Sequence, residues 1–406
     1  MRLGVVIPAL NEEQSIGSTV RRTLDAIPHI VGSSPVTSVD VTVVSDGSTD
    51  RTIEIAQGFG DSIQLIIFDK NRGYGAAIKA GWDAMPDADV VAFLDADGTC
   101  DPEFFGPLAT KLVADHADIA LGGRLNKGSE MPRIRRLGNR LFAGLLAGLA
   151  SSQVRDTASG MRVVLRKALP DLMPLPDGLH FTPAMSARAL LGGRLKIVEI
   201  DMPYREREGR SKLSVVRDGA RFLGTIMRTA AVYRPSRLLG AAGLLLLLLT
   251  GTLLAFPGVH YLRHHTVEEW MIYRFVVGNL FGVVGVLLLC AGHVAGTTVD
   301  AFLFGGRPPD RLRALSARAL SGAMFWCIEA ALLVGGGLLV LPSFEQLVRS
   351  GATYTHWSRF IAMSFLYETA AILAVTKTAL SFLRLAAERV DYERNVPRPA
   401  VDAIAP

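Results

Sequence analysis

The sequence is short of several features that would settle its class at once. Its three cysteines, Cys100, Cys290 and Cys327, have no paired spacing, so neither a disulfide framework nor a cysteine-based zinc site is indicated. The first strand-to-helix turn, Pro8-Ala9-Leu10-Asn11-Glu12, has no glycine, which argues against a Rossmann dinucleotide site. Gly-x-x-x-x-Gly-Lys-Ser/Thr does not occur, which removes the P-loop nucleotidases. No signal peptide precedes the strand pattern Leu3-Gly4-Val5-Val6-Ile7, so the N-terminal half is expected on the cytoplasmic side of a membrane.

What is present divides the chain. Its 406 residues suffice for two domains, and half of them are hydrophobic. The mean hydropathy of +0.31 hides a split. The first half alternates apolar runs with charged turns, whereas apolar runs of membrane-spanning length begin near Leu238. The net charge of +5 fits a domain that sits against anionic lipid and handles phosphorylated substrates. No nucleic-acid partner is expected.

In the first half, strands are expected at 3–7, 39–44, 63–68, 90–94 and 119–121. Helices are expected from Glu12 to Ala26, from Arg51 to Phe59 and through Ala84. Asn11 stands where it would cap the first helix, and Ser48 or Asp50 where either would cap the second. Strand, turn and helix repeated at this spacing predict a mostly parallel sheet with helices on both faces. Ligands of such sheets bind outside the carboxyl ends of the strands. Asn11 and Glu12, Asp46, Asn71 and Arg72, and Asp95 and Asp97 therefore converge on one crevice.

Phe93-Leu94-Asp95-Ala96-Asp97-Gly98-Thr99 is the centre of that crevice. Alternation along a strand would put both carboxylates on one side. Two hard oxygen donors suit Mg²⁺ or Mn²⁺, which fills its remaining positions with water and phosphate oxygens. An Asp-Gly turn after a buried strand would give the same residues with no ligand at all.

Val-Ile-Pro-Ala-Leu-Asn-Glu-Glu, Val-Ser-Asp-Gly-Ser-Thr-Asp-Arg-Thr and Leu-Asp-Ala-Asp-Gly-Thr together resemble glycosyltransferase family 2. The nearest branch in likeness is the dolichyl- or polyprenyl-phosphate mannosyl and glucosyl synthases, over roughly residues 1–230. The resemblance implies a GT-A-type, Rossmann-like α/β catalytic domain followed by an α-helical transmembrane domain, and inverting transfer from a nucleotide-diphospho-sugar. It implies that Pro8, Asn11, Glu12 and Asp46 hold the nucleoside, with Ser48, Asn71 and Ala96 in the same donor site. It also implies that Asp95 and Asp97 hold metal and diphosphate. Gly98-Thr99 stands where many of these synthases have Leu-Gln, whose Gln can ligate the metal, so a third protein ligand stays open.

Downstream, Gly122-Gly123-Arg124, Asp156-Thr157-Ala158-Ser159-Gly160-Met161-Arg162 and the segment Arg205 to Ser214 resemble further motifs of the family. They bring Arg124, Arg207 and Lys212 as partners for phosphate oxygens. With Asp97 these are the expected catalytic residues. A solvated basic face before a membrane is the competing account of Arg205 to Lys212, and Arg133, Arg135 and Arg136 are expected to face headgroups or solvent. An anionic lipid phosphate attacks without a general base, and Thr182-Pro183-Ala184-Met185 offers no acid where hydroxyl-accepting relatives often carry one.

The expected organisation is a cytoplasmic glycosyltransferase domain over 1–213, an interfacial amphipathic stretch over 214–237, and a membrane domain over 238–406. Spans are expected at 238–256, 275–295, 322–342 and 360–382. Arginine-rich loops after the second and fourth spans put both termini in the cytoplasm of a multi-pass protein of the plasma (inner) membrane. Glu329, Glu368 and Lys377 fall inside spans, either paired or lining a path for a lipid headgroup. Two other readings compete: a processive polysaccharide synthase, whose Gln-x-x-Arg-Trp is absent here, and a catalytically silent membrane scaffold. The sugar and base, GDP-mannose or UDP-glucose, stay open.

Overall fold

Buried apolar strands and amphipathic helices build the first part of the chain. The computed structural model describes residues 1–126, 129–150, 154–205, 214–304, 309–353 and 355–395. It divides into two units, Met1–Ala230 and Ala231–Pro406.

The first unit contains strands β1 (Arg2–Ala9), β2 (Ser38–Ser45), β3 (Gln64–Ile67), β4 (Val90–Leu94), β5 (Ile119–Gly123), β6 (Met161–Leu165) and β7 (Ile197–Asp201). They form one sheet in the order β3-β2-β1-β4-β6-β5-β7. β1 pairs parallel with β2 and β4, β2 with β3, and β5 with β7; β6 alone runs antiparallel, against both β4 and β5. Helices α1 (Ile16–Ser33), α2 (Thr52–Gln57), α3 (Tyr74–Asp83), α4 (Phe105–Ala114), α5 (Arg133–Leu149), α6 (Leu169–Leu172) and α7 (Phe181–Gly192) connect them, and α8 (Val215–Tyr233) crosses the unit boundary. Among the described residues of this unit two apolar cores form, one around Leu3, Val5, Val90 and Leu108, the other around Val6, Trp82, Phe93 and Phe181. Val5 and Val6 belong to different cores, as strand alternation requires.

Three local expectations need correction. The first helix starts at Ile16 rather than Glu12, and Asn11 has φ +49 and does not cap it. The Asn11 carboxamide oxygen instead accepts from the Thr49 N–H at 2.7 Å, and the Ser48 hydroxyl accepts from the Asn11 N–H at 3.1 Å. Ser48 therefore ties two loops together and caps no helix, whereas Asp50 accepts from the Thr52 N–H at 3.0 Å. In addition β4 ends at Leu94, so Asp95 and Asp97 lie in the turn beyond the strand, and the turn rather than the pleat brings them together.

The second unit is helical: α9 (Pro235–His264), α10 (Ile272–Phe302), α11 (Arg311–Ala319), α12 (Gly322–Ser350) and α13 (Trp357–Asn395). Among the described residues four segments, Pro235–His264, Glu269–Phe302, Gly322–Ser350 and Trp357–Val390, are long and apolar enough to cross a membrane. Each expected span lies inside one of them.

Candidate active site

A cleft of about 410 Å³ opens at the carboxyl ends of the strands in the first unit. Pro8 near the end of β1 and Glu12 after it, Asp46 after β2, Asn71 after β3, and Asp95, Ala96 and Asp97 after β4 contribute to its wall, together with Arg124 after β5. Eight of the residues expected at the site are thus brought together. Asn11 and Ser48 are not in the wall and act on the loops beside it. Arg207 and Lys212 lie outside the described residues.

Asp46 carries two tasks. It faces the cleft, and its carboxylate accepts from the backbone N–H of Arg72 at 2.6 Å and of Gly73 at 2.9 Å. Those bonds hold the 71–73 loop, and the Arg72 guanidinium lies 4.4 Å from the Phe68 ring. Gly73 has φ +107, and a Cβ there would stand 2.4 Å from the Asp177 carbonyl oxygen, so only glycine fits. The next residue, Tyr74, donates its phenol hydrogen to Asp95 Oδ1 at 2.6 Å. Its ring meets Phe93 and Phe181 edge-on, with centroids 6.4 Å away in each case. Burial and the Asp95 carboxylate both push the Tyr74 phenol well above its ordinary pKa, so it stays protonated and donating.

Asp97 is held from within its own turn. The Thr99 hydroxyl and N–H donate to Asp97 Oδ1 at 2.7 and 3.2 Å. Thr99 is buried and stands outside the cleft wall, so it orients the carboxylate. The β6 side makes room for Asp95: a Cβ on Gly160 would stand 1.8 Å from Asp95 Oδ2.

Basic side chains line the same cleft. Arg124 pairs with Asp156 through Nε at 2.7 Å and Nη2 at 3.0 Å, and Nη2 also donates to the Ala158 carbonyl at 2.7 Å. Asn139 Nδ2 donates to Asp156 at 2.6 Å. Burial works against both charges, but their mutual attraction prevails: the Asp156 carboxyl lies below its ordinary pKa and the Arg124 guanidinium above. Arg124 therefore reaches the cleft as a fixed cation, its guanidinium carbon 5.5 Å from the Tyr204 ring centroid.

Sequence reasoning assigned Arg135 and Arg221 to headgroups, solvent or an interfacial face. Both also line the cleft, from α5 and α8. It gave no role to Tyr74, Asn139 or Asp156. The position of Tyr74, directly after Asn71-Arg72-Gly73 at the end of a strand, was the available signal; nothing local marks Asn139. Arg162 on β6 is fully buried, bonding the carbonyls of Thr157 and Ser159, and burial pushes its pKa down to about 10.

A divalent cation fits this donor set on chemical grounds. Two carboxylates, each oriented by a hydroxyl, share one wall with a cluster of cations suited to phosphate oxygens. Among the described residues no group of three or more metal-ligating side chains forms, so the remaining ligands would be phosphate and water oxygens.

Comparison with known proteins agrees with this geometry. Residues 4–173 match the family described as glycosyl transferase family 2. Dolichyl-phosphate hexose transferase of Haloferax volcanii is 38% identical over 219 residues, covering 54% of this chain and 89% of the relative. Dodecaprenyl-phosphate galacturonate synthase of Rhizobium johnstonii is 25% identical over 315 residues, covering 73% and 86%. The solved glucosyl-3-phosphoglycerate synthase of Mycobacterium tuberculosis, in complex with Mn²⁺, UDP and glucosyl-3-phosphoglycerate, is 22% identical with a TM-score of 0.45. That match covers 57% of this chain and 80% of that one. With a strand-end cleft, a largely parallel sheet of GT-A type and a relative matched over most of its length, the chain belongs to glycosyltransferase family 2.

Proposed function

We propose that the protein transfers a hexose or hexose-derived sugar from a nucleotide-diphospho-sugar to the phosphate of a membrane polyprenol, with inversion. The observation that carries this reading is the division of charge in one cleft. Carboxylates come from the β1, β2 and β4 ends, and arginines from the β5 end, α5 and α8. The names of the two relatives point to the same acceptor class.

In this reading Pro8, Glu12, Asp46 and Asn71 seat the nucleoside, supported by the Asn11–Ser48 tie. Asp95 and Asp97 hold Mg²⁺ or Mn²⁺, which when bound neutralises the diphosphate and makes it a better leaving group. Arg124, Arg135 and Arg221 receive the acceptor phosphate, joined by Arg207 and Lys212. A phosphate oxygen of the acceptor attacks the anomeric carbon from the face opposite the diphosphate; the C–O bond to phosphate forms as the bond to the nucleoside diphosphate breaks. The acceptor is already anionic near neutral pH, so no side chain need remove a proton. The chain's own contribution is to bring two anions together and offset their repulsion with fixed cations. The amphipathic 214–237 stretch and the four apolar helices keep the cytoplasmic site at the inner-membrane surface, where such acceptors reside.

The test is transfer by the full-length protein in detergent, with radiolabelled GDP-mannose, UDP-glucose or UDP-N-acetylglucosamine and a short polyprenyl phosphate, with and without Mn²⁺. Label is expected in the organic phase from one donor, and Asp97→Ala is expected to lower its rate roughly 100-fold or more. Label appearing only in an insoluble polymer, or nowhere, would overturn the proposal.

A further inference from the structure

We propose that Tyr74 is a positioning residue for the metal and diphosphate subsite: its phenol O–H sets the orientation of the Asp95 carboxylate on which cation affinity depends. The inference rests on the functional reading above and goes beyond it, because neither the strand-end convergence nor the paired acids calls for a tyrosine.

Three observations support it. The bond is short, 2.6 Å from Oη to Asp95 Oδ1, and it joins separate elements, the start of α3 and the turn after β4. Asp97, by contrast, is oriented from two residues away by Thr99.

Secondly, Tyr74 has little freedom to move. Behind it, Asp46 grips the N–H groups of Arg72 and Gly73, and the Asp177 carbonyl accepts from Gly75 and Ala76 at 2.6 and 3.2 Å. Phe93 and Phe181 fix the ring. A donor held at both its backbone and its ring confers its own rigidity on the acceptor.

Thirdly, the other side of Asp95 is closed as well. Asp95 Oδ2 lies against the Gly160 backbone, where even a methyl group would clash. Gly160 and the phenol together restrict how the carboxylate can turn. The chain Asp46, loop 71–73, Tyr74, Asp95 also ties the nucleoside end of the wall to the diphosphate end. Carboxylates that ligate metals are commonly oriented in this way, and loss of such a partner typically costs about 10–100-fold in metal affinity.

The experiment is a Mn²⁺ titration of the full-length protein in detergent, followed by electron paramagnetic resonance of free Mn²⁺, with and without GDP or UDP. Wild type, Tyr74→Phe and Asp97→Ala are compared. Tyr74→Phe keeps the ring contacts, and a melting temperature close to wild type confirms its fold. The expected result is Mn²⁺ affinity weakened about 10-fold or more, with metal-free nucleotide affinity unchanged, and sugar transfer restored at saturating Mn²⁺. Equal Mn²⁺ affinity in wild type and Tyr74→Phe would overturn the role of Tyr74 while leaving the metal site standing. Loss of nucleotide and metal binding together would also overturn it, assigning Tyr74 to the loop alone. No Asp97-dependent Mn²⁺ binding by wild type would overturn the metal subsite itself and this inference with it.

Discussion

In the α/β unit most of the fully buried side chains are apolar, Val5, Val91 and Phe93 among them, and acids from several strand-end turns line a cleft. In the helical unit Leu245, Leu248, Val334 and Leu338 are exposed, while Asp300, His293 and Arg313 are buried. The inversion follows from the solvent. Water rewards removal of apolar surface, whereas lipid gives no such reward and penalises any polar group left without a partner. Accordingly Arg313 pairs with Asp300 and donates to the Gly296 carbonyl, Asp310 accepts from Ser236 at 2.9 Å, and His293 Nδ1 lies 2.5 Å from Ser316 Oγ. These contacts fasten α11 to α9 and α10. Buried charge by itself is therefore a poor guide to a site in this chain: convergence marks the cleft in one unit and a structural fastening in the other.

Intramembrane Glu329, Glu368 and Lys377 fall largely on the structural side of that contrast. Lys377 donates to the Leu320 carbonyl at 3.1 Å and lies 4.2 Å from the Phe325 ring centroid. Glu368 accepts from Ser364 at 2.7 Å. Glu329 is buried, with Oε2 unpartnered among the described residues.

The largest expected effect tests whether the Arg124–Asp156 pair is structural as well as electrostatic. Asp156→Ala leaves a buried arginine without its carboxylate and is expected to cost about 3–5 kcal/mol in thermal or denaturant unfolding. The native pKa of Asp156 is depressed below 3.8, so its stabilisation is complete above that pH and lost as pH falls through the folded value. A wild-type acid limb no steeper than that of Asp156→Ala would contradict the pairing.

Gly160→Ala separates space from charge. The added methyl group would displace Asp95, and transfer is expected to fall roughly 100-fold, with a stability cost of about 1–3 kcal/mol. Unchanged kinetics with a normal melting curve would show that Asp95 does not need its present place. The smallest effect is expected in the helical unit. Lys377→Met should change stability by less than about 1 kcal/mol, because contacts between helices in lipid have modest net worth. A large loss would break the contrast and turn attention to a role for Lys377 beyond packing.

Much of the catalytic unit is legible from periodicity. The strands at 3–7, 90–94 and 119–121 and the four spans announce themselves as apolar runs bounded by turn residues. β6 and β7 were not expected: Met161–Leu165 reads as the continuation of a turn motif, and only its pairing between β4 and β5 makes it a strand. Asn11 looked like a helix cap because capping residues and loop ties share one chemistry, a short side chain with an oxygen acceptor. Arg135 and Arg221 looked like membrane-facing charge because a helix with arginines on one side reads the same whether that side meets headgroups or a cleft.

The sequence by itself determined the class of the chain: a parallel-sheet catalytic half, an apolar helical half, and acids and cations spaced for phosphate chemistry. These are local properties, carried by hydropathy period and by which residue types end each strand. Only the tertiary structure decided which of those groups share a wall and which side chain orients another. Tyr74 meets Asp95, Gly160 makes room for it, and Asp156 fixes Arg124 across 21, 65 and 32 residues of chain. Contacts at such separations depend on strand order and on the packing of turns, which no local pattern encodes.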